Sequence, residues 1–295
     1  FLRNDVPARI GPPLTDGALC LDGPVDSARI LVERSRFETN RADWGHALYV
    51  KTLTRNSVVR DCVFLGNTCR EGPSALGGEI GELSHNRFEA NAADDSSPAV
   101  SVSGRPDTRI VHNIFLGNRS SWGGAALTPC RGLVTNNLFL GNACPQTAAV
   151  WVRSGCNADL RNNTFVDNQS MGIAHVAYDS AYGQVRANLF GGGRGTAAVG
   201  TDYPDWGAST EMAYNAWWMT PDPVFGEGVR LADGNVEADP LFGDGDDYHL
   251  GAGSAAIDAG DPDRSLADTD GSRNDPGAFG GPEGDWTPLP AGGAP

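Results

Sequence analysis

The chain has 295 residues, 40% hydrophobic and 20% charged, with 39 glycines, 19 prolines and a formal charge of −15 at pH 7. So acidic a chain argues against nucleic acid as a partner, because phosphate binding needs a basic surface, and it disfavours anionic membranes. No apolar run reaches the roughly 18 residues needed to cross a bilayer, so membrane insertion is not expected.

Residues 1–27 are proline-rich and precede the first copy of a repeat, which makes them an N-terminal cap. Across residues 28–222 one short phrase returns. It reads Asn86-Arg87-Phe88-Glu89-Ala90-Asn91, then Asn113-Ile114-Phe115-Leu116-Gly117-Asn118, then Asn137-Leu138-Phe139-Leu140-Gly141-Asn142, then Asn163-Thr164-Phe165-Val166-Asp167-Asn168. Weaker copies centre on Phe37, Phe64, Phe190 and Trp217, and neighbouring centres lie 24 to 27 residues apart. A period of this length, built from strand-length apolar pieces, means a solenoid in which each copy is one coil.

The copy around Phe139 holds three strand-like runs, at 132–135, 137–140 and 148–152, too short and too rich in Asn, Gly and β-branched residues for helices. Three short strands per coil predict an all-β fold, a single-stranded parallel β-helix solenoid of about eight coils stacked ~4.8 Å apart, with Phe over Phe in its core. The asparagines are read as structural. They tolerate the left-handed bends between strands, and their amides can hydrogen-bond in a column. After Trp217 the rhythm breaks at Pro221, Pro223 and Pro240, so residues 223–281 are expected to close the C-terminal end and blunt its open strand edges. Residues 282–295 read as a Pro/Gly-rich linker.

Six cysteines occur, at Cys20, Cys62, Cys69, Cys130, Cys144 and Cys156, with no Cys-x-x-Cys pair, so structural zinc is not indicated. An even number scattered over loops fits disulfides in an oxidising compartment. Cys130 and Cys156 fall at nearly the same offset from Phe115 and Phe139, on adjacent coils, within the separation a disulfide tolerates. Cys69 and Cys144 share a repeat position but lie three coils apart, too far to bond.

If Leu48 and Val50, Val100 and Val102, and Val150 and Val152 point inward, strand alternation puts Tyr49, Ser101 and Trp151 outside. Lys51, Arg105 and Arg153 follow on the next turns, and Trp44 and Trp122 share one loop position. Aromatic faces beside cations suit a sugar polymer, with rings for stacking and guanidiniums for carboxylates; loop packing against the barrel is the competing reading. His85 and His112 each stand three residues before a coil phenylalanine and should stack outward on neighbouring coils. Asp268, Asp270 and Asp275 offer oxygens at alternating positions, as a structural calcium would need, although Phe279 stands where an EF-hand loop requires glutamate. A polar turn explains the same residues, and no other cofactor is indicated.

The coils resemble the right-handed parallel β-helix proteins of the pectin-lyase-like superfamily. The segments Asp239-Pro240-Leu241-Phe242, Gly253-Ser254-Ala255-Ala256-Ile257-Asp258-Ala259-Gly260, Asp268-Thr269-Asp270-Gly271 and Gly277-Ala278-Phe279-Gly280 are similar to a tail common in secreted bacterial surface proteins of this kind. The resemblance implies right-handed winding and an extracellular or cell-surface location. It does not choose a function, because the superfamily holds lyases, epimerases, glycosidases, adhesins and surface proteins. Its glycosidase motifs are absent, and no carboxylate cluster of the kind glycoside hydrolysis needs accompanies the aromatic face; no residue is therefore given a catalytic role. The expectation is a non-catalytic β-helix that binds a polysaccharide or joins other surface proteins in an assembly. A self-associating subunit of a filament or sheath is one alternative. A polysaccharide lyase or epimerase, with Tyr49, Lys51 and Arg153 near the substrate, is the other.

Overall fold

The computed structural model describes residues 5–6, 19–22, 30–51, 57–94, 97–195, 197–201, 209–220 and 222–290. One coil shows why the sequence folds as it does. It runs through Val58–Arg60, Val63–Leu65, Thr68–Glu71 and Leu76–Gly78, which belong in turn to four parallel sheets, here I to IV. Among the described residues sheets I, II and IV have nine strands each and sheet III has five, and every strand inside a sheet pairs with its equivalents in the coils before and after it. The result is a single-stranded parallel β-helix with the right-handed crossover sense such connections take.

Sheet III was not legible in the repeat. Its strands shrink to two residues at Ala92–Ala93 and Arg119–Ser120 and then to single bridges at Ala143 and Gln169, too short for any alternation to show. Sheet II carries the phenylalanines. Phe37, Phe64, Phe88, Phe115, Phe139, Phe165 and Phe190 are fully buried, and each ring stacks on the next at 4.7–5.1 Å, within 19° of parallel. Burying such a ring contributes about 1.5–3 kcal/mol, and the column repeats that contribution coil after coil.

The chain turns from sheet I to sheet II, and again from II to III, at a single residue with positive φ. Asp61, His85, His112, Asn136, Asn162, Ala187 and Tyr214 make the first bend; Thr39, Gly66, Ala90, Gly117, Gly141 and Asp167 make the second. Except after Asp61, where Cys62 stands, the repeated asparagine follows the bend residue rather than occupying it, which corrects the conformational half of the sequence reading; Asn136 and Asn162 are additional asparagines in the bends themselves. What the asparagines do is satisfy the corners. In the column Asn86, Asn113, Asn137, Asn163, Asn188, Asn215 and Asn235, each side-chain amide donates to the next side-chain oxygen at 2.9–3.1 Å. That oxygen also accepts the backbone N–H of the asparagine one coil earlier. A second column links Asn40, Asn67, Asn91, Asn118, Asn142 and Asn168 in the same way. Asn118, Asn162 and Asn168, which stand in glycosylation-like triplets, are buried.

The C-terminal segment does not lie across the end of the last coil, where Phe225 and Leu231 stay exposed. It folds back along the corner between sheets I and II and climbs five coils. Arg186 pairs with Asp261 at 2.7 Å; Asn162 donates to the Asp275 carbonyl at 2.8 Å; Asn136 donates to the carbonyls of Ala278 and Gly280. His112 bonds the Glu283 carbonyl at 2.8 Å, and Arg87 donates to the Leu289 carbonyl. Trp286, 8% exposed, packs with Ala278 and Phe279 over Ile114, Leu138, Leu140 and Val166 on the outer face of sheet II. Residues 282–290, read from sequence as the start of a linker, are thus docked.

Candidate functional site

The outer face of sheet IV holds a row of residues set by register: Cys20, Tyr49, Gly77, Ser101 and Thr128, continued by Trp151, Ala177 and Gly200. Tyr49 and Trp151 are four strands apart, about 19 Å at the spacing of parallel strands, so they mark two ends of a row and do not touch. Tyr49 is half-buried and stacks on His46, ring centres 4.9 Å apart. The His46 ring bonds the Pro73 carbonyl at 2.9 Å and lies over Gly77, where a Cβ would come within 2.7 Å of Nε2. Only glycine leaves room for it. Burial pushes the His46 pKa down, so its ring is neutral near pH 7. Ser101 and Arg105 are half-buried. Lys51 ends the strand Leu48–Lys51, and its side chain falls outside the described residues.

Trp151 is 9% exposed. Its indole N–H donates to Asp179 Oδ2 at 2.5 Å, the Arg153 guanidinium sits 5.1 Å from its ring centre, and Trp122 meets it edge-on at 6.1 Å. Trp151 is therefore an anchor beneath the surface. What the corner offers to solvent is Trp122, 45% exposed, and the exposed Arg153. Strand alternation could place Trp151 on this side of the sheet, but it could not show that the loop of Trp122 folds over it.

Around the turn from this corner, on the outer face of sheet I, lies an open hollow of 570 Å³ lined by Arg131, Asn157, Asp159, Arg161 and Tyr182, with Pro106 and Gly155 at its edge. Arg131, Asn157 and Tyr182 are register partners on three successive strands. The hollow opens where Cys130 and Cys156 are joined by a disulfide between adjacent coils. Arg105 and Arg153 stand next to its rim in the chain. Of its lining residues the sequence singled out only Cys156, and that as a disulfide partner and not as part of a site. Their alternation on 131–135 and 157–161 was readable, but a concavity depends on how two loops diverge, which no periodicity encodes.

The side chains that could ligate a metal are dispersed. Asp268 Oδ1 accepts the backbone N–H groups of Asp275 and Gly281, Asp270 caps Ser272, and Asp275 accepts from the Asp258 N–H at 2.6 Å. Burial, with Asp268, Asp258 and Asp270 nearby, pushes the Asp275 carboxyl up to about 6. These carboxylates tie the C-terminal segment together as turn residues do. His85 and His112 meet edge-on rather than stacking, with ring nitrogens 3.1 Å apart, and Trp286 stacks on His112. His249 bonds Asp247, and His175 lies in the core. Among the described residues no three His, Cys, Asp or Glu side chains form a group able to hold a metal ion, and no helix is long and apolar enough to cross a membrane.

Comparison with known proteins adds one finding. The family described as periplasmic copper-binding protein (NosD) matches residues 28–203, more than half of the chain, and the match ends before the back-folded C-terminal segment. No curated protein and no solved structure matches the chain. The register-matched coils and this match agree, and the chain belongs to the family of periplasmic copper-binding proteins of the NosD type, built on a pectin-lyase-like right-handed parallel β-helix.

Proposed function

We propose that this protein is a non-catalytic β-helix of the periplasm or cell exterior that binds a polysaccharide at the corner formed by Trp122, Trp151 and Arg153. The observation that carries this reading is the layered geometry there. A buried indole is fixed by Asp179, a guanidinium lies over its ring, and a second indole is left exposed beside that cation. Such a surface stacks on the apolar face of a sugar ring and pairs with its carboxylates or hydroxyls. The pairing of cation and ring, at about 0.5–2 kcal/mol, holds Arg153 in place before any ligand arrives.

The family description brings copper with it, and the donor set does not fit. Copper favours imidazole, thioether and thiolate ligands. Here the His85 and His112 ring nitrogens face each other and the Glu283 carbonyl, and Cys62 and Cys69 are buried apart from one another, Cys62 against the Arg60 and Val32 carbonyls and Cys69 against that of Glu71. Met171 and Met219 stand exposed on separate coils. No step of the proposed function runs through a metal.

Affinity electrophoresis through gels cast with acidic or neutral polysaccharides tests the reading. The wild-type protein is expected to be retarded in at least one gel without clearing the stained polymer. Trp122→Ala and Arg153→Gln should each weaken retardation by about tenfold, close to 1.4 kcal/mol, with unchanged melting. Unretarded migration in every gel would sink the proposal, and cleared polymer would make the protein an enzyme.

A further inference from the structure

The hollow on sheet I is a concave site of 570 Å³, inside the range of about 300–1,000 Å³ typical of small-molecule sites. Its charge sets it apart from the rest of the same face. Elsewhere on sheet I the arginines are neutralised. Arg60 meets Glu33 at 2.6 Å, Arg109 meets Glu283 at 2.5 Å, Arg186 meets Asp261 at 2.7 Å, and Arg230 meets Glu211.

The two arginines of the hollow differ. Arg131 is exposed and makes no ion pair among the described residues. Arg161 reaches Asp159 only at 3.8 Å, beyond hydrogen-bond distance, and its Nε–H is buried without a partner. A buried donor left unsatisfied is costly, so its neighbourhood favours an incoming acceptor. Two guanidiniums and one carboxylate leave a net charge of +1 in a chain whose total is −15.

Tyr182, 53% exposed, stands two strands from Arg131 in the same row, with Asn157 between them. Its ring is a platform at one side of the hollow, and the Asn157 amide offers both a donor and an acceptor to hydroxyls. A monoanionic ring compound with several hydroxyls matches this set. The planar fork of a guanidinium fits a carboxylate through two parallel hydrogen bonds.

We infer that this hollow is a binding site for a sugar acid, a hexuronate unit whose carboxylate is taken by Arg131 and Arg161 and whose ring rests on Tyr182. The site is separate from the Trp122 corner and does not depend on the polysaccharide reading. Free galacturonate or a uronate at the end of an oligosaccharide would present the same group.

Saturation-transfer NMR and titration calorimetry with free D-galacturonate and neutral D-galactose at low salt test this. Galacturonate is expected to bind with Kd about 1 mM, and galactose at least tenfold more weakly. Arg131→Gln and Tyr182→Ala, both at exposed positions and checked by circular dichroism and melting, should each weaken galacturonate binding tenfold or more. Arg161→Gln should do the same, while Trp122→Ala leaves it unchanged. Equal binding of the two sugars, or galacturonate binding untouched by Arg131→Gln and Arg161→Gln, overturns the inference. Polysaccharide retardation that persists without galacturonate binding would remove this site alone and leave the Trp122 corner standing.

Discussion

His175 shows how far a single residue can depart from the pattern around it. It sits in the strand Ile173–Tyr178, fully buried, with Phe165 and Phe190 at 5.9 and 5.7 Å and the Asn168 amide 3.2 Å from Nδ1. The pairing register shifts between Ile173 and Val176, and the extra residue turns the imidazole into the core. Alternation alone could not foresee this, because a bulge breaks the period of two on which the reading of Tyr49, Ser101 and Trp151 rested. Burial pushes the His175 pKa from 6.5 down to about 4. Above pH 6.5 the ring is neutral whether the chain is folded or not. As pH falls from 6.5 towards 4 the unfolded chain takes a proton that the folded chain refuses, so stability drops by about 3 kcal/mol over that window. Asp275 acts in the opposite sense: its folded pKa of about 6 lies above the ordinary 3.8, so its contribution is full below 3.8 and is lost as pH rises through 6. Between pH 7 and pH 5 the two largely offset each other in the wild type, so urea midpoints should change little there, whereas His175→Leu, which keeps Asp275, should become more stable at pH 5 than at pH 7. Equal slopes in both proteins would mean that His175 is not the group responsible.

The asparagine columns set the energetics of each coil. Asn113 Oδ1 accepts from both the backbone and side chain of Asn86, and its amide donates to Leu83, Val111 and Asn137. Asn113→Ala leaves several buried groups unpaired at once, and each costs about 1–3 kcal/mol. We expect a loss of roughly 3 kcal/mol or more in urea unfolding, well above that of an exposed substitution such as Arg131→Gln. A loss below ~1 kcal/mol would show that water enters the corner and repairs it. The columns explain why so much of the fold was legible: a stack of like residues must repeat in sequence, and Asn flanking Phe recurs as one phrase. Sheet III escaped because it contributes few side chains to that stack. The hollow at Arg131 and Tyr182 escaped because, although its floor is strand, its concavity depends on the flanking loops at Pro106 and Gly155, whose path no repeat constrains.

At the scale of the whole molecule the chain is a rod with a strap. The bend residues His112, Asn136 and Asn162 receive the strap through their side chains, whereas Ala187 receives it through its carbonyl, which accepts the Gly277 N–H at 2.9 Å. The doublets Asn136-Asn137 and Asn162-Asn163 were visible in the sequence, but their second role needs the strap to be seen in place. Trp286→Ala removes a nearly buried indole, a change that costs about 3–5 kcal/mol in a packed core. Because each coil of a solenoid contacts only its neighbours, that loss should fall on the strap alone. Hydrogen exchange is expected to quicken at Gly277, Gly280 and Gly284 while the amides beside Phe115 and Phe139 keep their protection. Uniform loss of protection would make the strap part of one cooperative unit with the coils.

That strap also measures. Its anchors fall on successive coils, at Arg186, Asn162, Asn136, His112 and Arg87, in the reverse of chain order. A duplicated coil between Arg87 and Arg186 would continue both asparagine columns and the phenylalanine stack without a fault. It would also lengthen the rod by one step of ~4.8 Å and leave the strap one anchor short. Repeat proteins ordinarily drift in length by gaining and losing whole copies; here the back-folded segment works as a ruler that admits only one number of rungs.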